Sequence, residues 1–266
     1  MMVFTRVLGV CCVAAALIGW SSVANADLLA YYSMEETGSP LVDQVGGQMA
    51  SAVDLGHLYS QPGPGGFGNA VGLNAEGSWQ LSEADSAELR DLTNDMSVAA
   101  WVYVDSAFGV ELSRVMGDDA PWDADGWSWG VNGDVIRFTK NGIIDADDTA
   151  SGVTVPFDRW THLAVTVSST DGIHYYMGGT DTGSPIANTA DMVPGPGNNG
   201  MDDPYAIGRA NRTNGTQWFK GNLDEVRVYN HVLTPEEVAA LAIPEPATAF
   251  LLGLALLTGV AAVRRR

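Results

Sequence analysis

Cysteine is nearly absent from this chain: 266 residues contain two, Cys11 and Cys12, side by side near the start. They precede most of the apolar stretch around them, whereas a lipid-modified cysteine would follow it, so the sequence does not read as a lipoprotein. Basic residues are also few, 13 against 32 acidic ones, for a net charge of −19. Such a surface repels a phosphate backbone and excludes nucleic acid as a partner. The four histidines, His57, His162, His174 and His231, are scattered without the spacing of a zinc site. No internal repeat is visible.

Long apolar runs occur only at the two ends. Arg6 lies in a short basic start, residues 7–20 are apolar, and Ala24-Asn25-Ala26 offers a small-x-small cleavage site. Residues 1–26 therefore read as a secretory signal peptide whose removal exposes Asp27. Both cysteines leave with it. The mature chain is exported yet has no disulfides, so its stability must come from a large core. At the other end, "IPEPATAFLLGLALLTGVAAVRRR" (243–266) carries an uncharged run, 247–263, and then three arginines. As a helix the run is about 25 Å long, within the range that spans a bilayer. Thr248 and Thr258 are its only polar residues, which is too uniform for a core helix. The arginines would stay on the cytoplasmic side.

Pro244, Glu245 and Pro246, one apolar helix, and then Arg264, Arg265 and Arg266 together resemble the PEP-CTERM sorting signal of Gram-negative bacteria. The resemblance implies an exosortase-type transpeptidase that cuts near the motif and passes the protein to the cell surface or to extracellular polysaccharide. Hydropathy alone also allows a permanent inner-membrane anchor.

Between the ends lies a body of about 217 residues, enough for one β-sandwich or two small domains. Setting aside Arg6, the three terminal arginines and Glu245 leaves 9 basic and 31 acidic residues, a net of −22. That acidity suits a saline or divalent-cation-rich setting, or simply keeps an exported protein soluble. "QPGPGGFG" (61–68) and "VPGPGNNG" (193–200) read as loops. Strands are expected at 28–34, 97–104, 126–131, 135–140, 160–168, 173–178 and 224–230. In 97–104, Val98, Ala100, Val102 and Val104 share one face, and Ala99, Trp101 and Tyr103 the other. One helix follows Thr234, with Pro235 in its first turn, a capping box closed by Glu237, and Leu233 and Val238 as staple.

Four segments of the body, "YYSMEETGSPLVDQVGG" (31–47), "FGNAVGLNAEGSWQLSE" with "DMSVAAWVYV" (67–83, 95–104), "DRWTHLAVTVSSTDGIHYYMGG" (158–179) and "YAIGRANRTNGTQWFKGNLDEVRVYNHVLTPEEVAAL" (205–241), resemble a LamG-like domain of the concanavalin A-like lectin/glucanase superfamily. The resemblance implies an all-β fold over 27–242, a two-sheet antiparallel jelly-roll sandwich with one concave sheet. Its terminal strands would lie side by side. Glu36, Asp43 and Asp224 would then meet, a set of hard oxygen ligands suited to Ca²⁺ with carbonyls near Gly46 and Gly47. The strand with Glu-x-Asp-x-Glu or a close variant, which in glucanases of this superfamily aims two carboxylates at the sugar, does not occur, so no catalytic residue is expected.

"GDDAPWDADGWSWG" (117–130) gathers Asp118, Asp119, Asp123 and Asp125 around Trp122. Its spacing does not match an EF-hand, and it reads as an edge loop where Trp122 can stack on a sugar. Trp127 and Trp129 fall on one strand face and are expected in the core. Trp160 and His162 match packing positions of the family. Trp79, Trp101 and Trp218 are left between core and concave face, and Trp101 and Trp218 join Trp122 as candidate ligand contacts. The expected protein is thus a non-catalytic cell-surface or matrix protein that binds extracellular polysaccharide or a surface glycan. The alternatives are an acidic structural component without sugar recognition and, less favoured, a polysaccharide-degrading enzyme.

Overall fold

The structure, a computed structural model, describes residues 28–243 apart from 66, 75, 93, 109–111, 119–125, 189, 191–203 and 211–216. The signal peptide (1–26), the sorting segment (243–266) except Ile243, and the 193–200 loop lie outside the described residues. Among those residues no helix is long and apolar enough to cross a membrane.

Two antiparallel sheets of eight strands each form a sandwich. Numbered along the chain, the first sheet runs β14 (Thr180–Asp181), β13 (Gly172–Met177), β12 (Trp160–Ser168), β7 (Met96–Val104), β16 (Gly221–Tyr229), β5 (Asn69–Leu73) and β4 (His57–Pro62), with β1 (Leu28–Tyr32) also paired to β16. The second runs β11 (Ile144–Asp147), β10 (Val135–Lys140), β9 (Trp127–Asn132), β8 (Leu112–Gly117), β15 (Ala206–Ile207), β6 (Gly77–Gln80), β3 (Met49–Asp54) and β2 (Leu41–Val42). The chain's first and last strands meet as expected, with Leu28 opposite Tyr229 and Tyr32 opposite Val226.

Period-2 alternation fills the space between the sheets. Val98, Ala100 and Val102 of β7, Leu163 and Val165 of β12, and Trp127 and Trp129 of β9 all enter one core. Trp79 is fully buried there as well. The second face of the first sheet looks away from this core. Over part of it lies α2 (Pro235–Leu241), seating Val238 and Leu233 on Ala99, Ala164, Tyr176 and Tyr229. Its capping box is present, with the Glu237 amide donating to Thr234 Oγ1 (3.3 Å) and the Thr234 amide donating to Glu237 Oε2 (2.8 Å).

Nine strands, β2–β6, β8, β11, β14 and β15, are not among the expected ones, and two further features depart from expectation. The loop expected over 61–68 is shorter, because Gln61 and Pro62 belong to β4. An unexpected helix, α1 (Glu83–Arg90), follows Ser82, whose Oγ accepts from the Asp85 amide. It brings Leu89 into the core, where Leu89 O accepts from Trp127 Nε1 at 3.1 Å.

One buried cation ties loops to the second sheet. Lys140, fully buried at the end of β10, donates to Asn94 Oδ1 (3.0 Å), to Ala190 O (2.5 Å) and to Asn188 Oδ1. Lys140→Met keeps the length of the side chain but strands these acceptors, at roughly 1–3 kcal/mol for a buried group left unpaired. A loss of about 3 kcal/mol is expected in urea unfolding. An unchanged midpoint would show that water replaces the ammonium without cost.

Candidate functional site

The part of the first sheet's outer face that α2 leaves uncovered is built from cross-strand neighbours. In one row Trp160 of β12 stands opposite Tyr103 of β7, which stands opposite Asn222 of β16, then Gly72 of β5 and Leu58 of β4. Four strand spacings make this row about 19 Å wide. Trp160, Tyr103, Asn222 and Leu58 are half-buried, each keeping some surface in solvent. The Tyr103 and Trp160 rings meet edge to face, 6.0 Å between centroids. Gly72 keeps the floor flat, since a methyl there would strike Asn222 Oδ1.

The next row inward is His162, Trp101 and Asp224. Trp101 lies between Phe67, 5.7 Å away, and His162, 5.6 Å away. His162 is 1% exposed, and neither ring nitrogen has a partner among the described residues. Burial, with the nearby Arg227 charge, lowers its pKa to about 3, so the ring is neutral. This agrees with a packing histidine.

Asp224 is fully buried, and neither carboxylate oxygen has a hydrogen-bond partner of normal geometry among the described residues. Burial pushes its pKa up to about 8. The Glu225 and Glu35 carboxylates add to this, while the Glu225 amide and Arg227 act in the opposite sense. A bulge in β16 sets this arrangement. Glu225 takes a left-handed backbone (φ +55°) and turns back to accept from Tyr31 Oη (2.8 Å) and to pair with Arg227.

Above Asp224 the turn between β4 and β5 closes down. A methyl built on Gly63 would lie 2.6 Å from Phe67 O, 2.9 Å from Asp224 Oδ2 and 3.0 Å from Gly68 O. Three oxygens thus surround one point. Exposed Glu35 stands beside them, accepting from the Asn69 amide at 3.0 Å, and a methyl on Gly68 would strike its carboxylate. This donor set is all oxygen, two carboxylates and two carbonyls, the chemistry of a hard cation such as Ca²⁺.

The expected triad of Glu36, Asp43 and Asp224 does not come together. Asp43 is instead turned onto the amides of Tyr31 (2.7 Å), Val45 (3.0 Å) and Gly46 (2.6 Å). Glu36 accepts from the Val42 amide at 3.0 Å, on the side of the second sheet. Among the described residues no group of three acidic or histidine side chains has metal-holding geometry. The neighbour of Asp224 is Glu35, because Met34 has a left-handed backbone (φ +57°) and adjacent residues leave the chain on opposite sides.

Of the candidate tryptophans, Trp101 is on the outer face as described, and Trp122 lies outside the described residues. Trp218 is elsewhere. It is 8% exposed beside the second sheet, next to Gln217, which accepts from Arg114 Nε at 3.0 Å. The Arg209 guanidinium covers its ring at 4.5 Å. Sequence reasoning passed over Tyr103 and Asn222 as ligand contacts and gave Trp160 to packing. The alternation of β7 already put Tyr103 beside Trp101, but only strand order reveals the row. "GWSWG" (126–130) has the letters of a nucleophile elbow. Here it forms most of straight strand β9 with Ser128 buried, so the strand-to-helix turn of an elbow is missing.

Residues 75–239 match the family described as the concanavalin A-like lectin/glucanases superfamily. Residues 242–266 match the PEP-CTERM protein-sorting motif. No curated protein matches the chain in sequence. Among solved structures, domain 4 of AbnA, an extracellular arabinanase of Geobacillus stearothermophilus in complex with arabinotriose, is 22% identical with a TM-score of 0.58, covering 82% of this chain and 98% of that domain. Trypanosoma rangeli sialidase in complex with sialic acid is 16% identical (TM-score 0.54), with 82% of this chain but 33% of the sialidase covered. The botulinum neurotoxin serotype D binding domain is 13% identical (TM-score 0.55), with 82% and 51% covered. At these identities the likeness is one of fold.

Proposed function

The chain belongs to the concanavalin A-like lectin/glucanase superfamily and ends in a PEP-CTERM motif, and from that premise we propose that it is an exported, non-catalytic surface or matrix protein that binds an uncharged glycan. The observation that carries this reading is the solvent-facing row Trp160–Tyr103–Asn222. Aromatic faces pack against the CH groups of a sugar, and a neighbouring amide fixes its hydroxyls. A net charge of −22 between the two ends disfavours an acidic polymer. The arabinotriose complex of the arabinanase domain gives a precedent for a sugar on this fold. An exosortase-type transpeptidase is the processing partner implied by the motif.

Calcium belongs to the same reading, at a site revised from the sequence. Asp224, Glu35 and the carbonyls of Phe67 and Gly68 would hold it, and the ion would fix the turn that presents Phe67 to Trp101. The raised Asp224 carboxyl resembles a general acid, but a fully buried group under Gly63 touches no substrate. That favours binding over hydrolysis.

A glycan array run in millimolar calcium finds the ligand class. Calorimetry on the best neutral oligosaccharide should then show Trp160→Ala and Tyr103→Ala binding at least about tenfold more weakly, some 1.4 kcal/mol. Met49→Ala, exposed on the second sheet, should bind like the wild type. Equal affinity in all four proteins would remove the platform. Release of reducing sugar from a polysaccharide panel would replace binding with hydrolysis. An array without hits would favour the acidic structural component.

A further inference from the structure

The folded domain continues almost to the sorting motif. The amide of Ala242 donates to Val238 O (3.3 Å) and that of Ile243 to Ala240 O (3.3 Å), so α2 and its cap end only at the residue before Pro244. This end is seated, not frayed. A methyl on Gly179, in the turn between β13 and β14, would lie 2.9 Å from both Ala239 Cα and Ala242 Cβ. Leu241 packs against the cluster that includes Tyr176 and Val238, while Ile243 is 64% exposed and marks where the chain leaves the domain. The apolar run begins at Ala247. Five residue steps separate packed Ala242 from it, a reach of at most about 15–18 Å.

We propose that, before processing, this tether presses one edge of the sandwich, strand β14 with the C-terminal end of α2, against the lipid surface that holds residues 247–263. The opposite edge, β4, lies six strand spacings away, about 29 Å, and points from the membrane. The contact is imposed rather than adhesive. Asp171, Asp181 and Glu236 make this edge acidic, offering nothing for anionic headgroups to bind. The exosortase must therefore reach its motif in the narrow gap under β14, at the membrane surface.

The test uses the chain after signal removal, residues 27–266, which has no cysteine of its own, carrying one labelled cysteine. Thr180→Cys marks β14, and Leu55→Cys, at a site 78% exposed beside β4, marks the far edge. In phosphatidylcholine vesicles with a headgroup-attached quencher, the Thr180→Cys label should be quenched at least about twofold more than the Leu55→Cys label. A Gly/Ser spacer of about twelve residues after Ile243, itself roughly 20 Å in mean end-to-end length, should abolish the difference. Equal quenching without the spacer, a difference that survives the spacer, or failure to float with vesicles would each overturn the proposal.

Discussion

Changing Asp224 to Asn is expected to abolish a fall in stability of the calcium-free protein between pH 6.5 and 8. The carboxyl titrates near its ordinary 3.8 in the unfolded chain and near 8 in the folded one. Below 3.8 both states hold the proton, and the raised value costs nothing. Above it only the unfolded state releases the proton, so the folded state loses ground at about 1.4 kcal/mol per pH unit until Asp224 itself ionises. His162 works in the opposite sense. Its folded value near 3 makes stability fall as pH drops below 6.5. The two offset each other between pH 4 and 6.5, which leaves the window above 6.5 to Asp224 alone. At pH 8 Asp224→Asn should be the more stable protein by about 3–5 kcal/mol, several degrees in melting temperature for a domain of this size. Calcium at a hundredfold excess over its Kd should restore about 2.7 kcal/mol to the wild type and nothing to the variant. Parallel pH profiles would mean a hydrated carboxyl, and equal calcium stabilisation would take Asp224 out of the cage.

Gly221→Ala should cost about as much, for a steric reason. Gly221 opens β16 at φ +137°, a conformation closed to residues with a Cβ. The added methyl would overlap the Tyr103 carbonyl oxygen and lie 3.0 Å from Tyr103 C and 3.2 Å from Asp105 N. All three are backbone atoms of β7 or the residue after it, so no side chain can swing aside. Overpacking and backbone strain cost about 1–3 kcal/mol each. Their sum, about 4 kcal/mol, should appear in denaturant unfolding, with glycan binding lost as Tyr103 is displaced. Gly152→Ala separates the two causes. Its φ is +68° but nothing lies within 4 Å of the added atom, so only the strain of about 1 kcal/mol should remain. Equal stability of both variants would mean that β7 and β16 slide apart without cost.

The calcium triad shows where one-dimensional reading stops. The sequence correctly joined the start of the body to β16, since Tyr31 pairs with Arg227. It chose Glu36 over Glu35 because parity along an extended strand favours neither without knowing the backbone of Met34. It also had no means to find the carbonyls of Phe67 and Gly68. Carbonyl oxygens carry no residue signature, and their convergence depends on how tightly the β4–β5 turn folds over the sheet.

Alternation of apolar residues, turn-forming glycines and the Thr234-Pro235-Glu237 cap suffice to fix β1, β7, β9, β10, β12, β13 and β16, the α2 helix and the burial of Trp127 and Trp129, because these follow from interactions spanning a few residues or from burial on one face of a strand. The paired carboxylates and the row Trp160–Tyr103–Asn222 were decided by strand order, and the covering of Trp218 by Arg209 by the path of the segment between β15 and β16. The first two bring together residues more than fifty positions apart, and no local preference encodes which strand becomes whose neighbour.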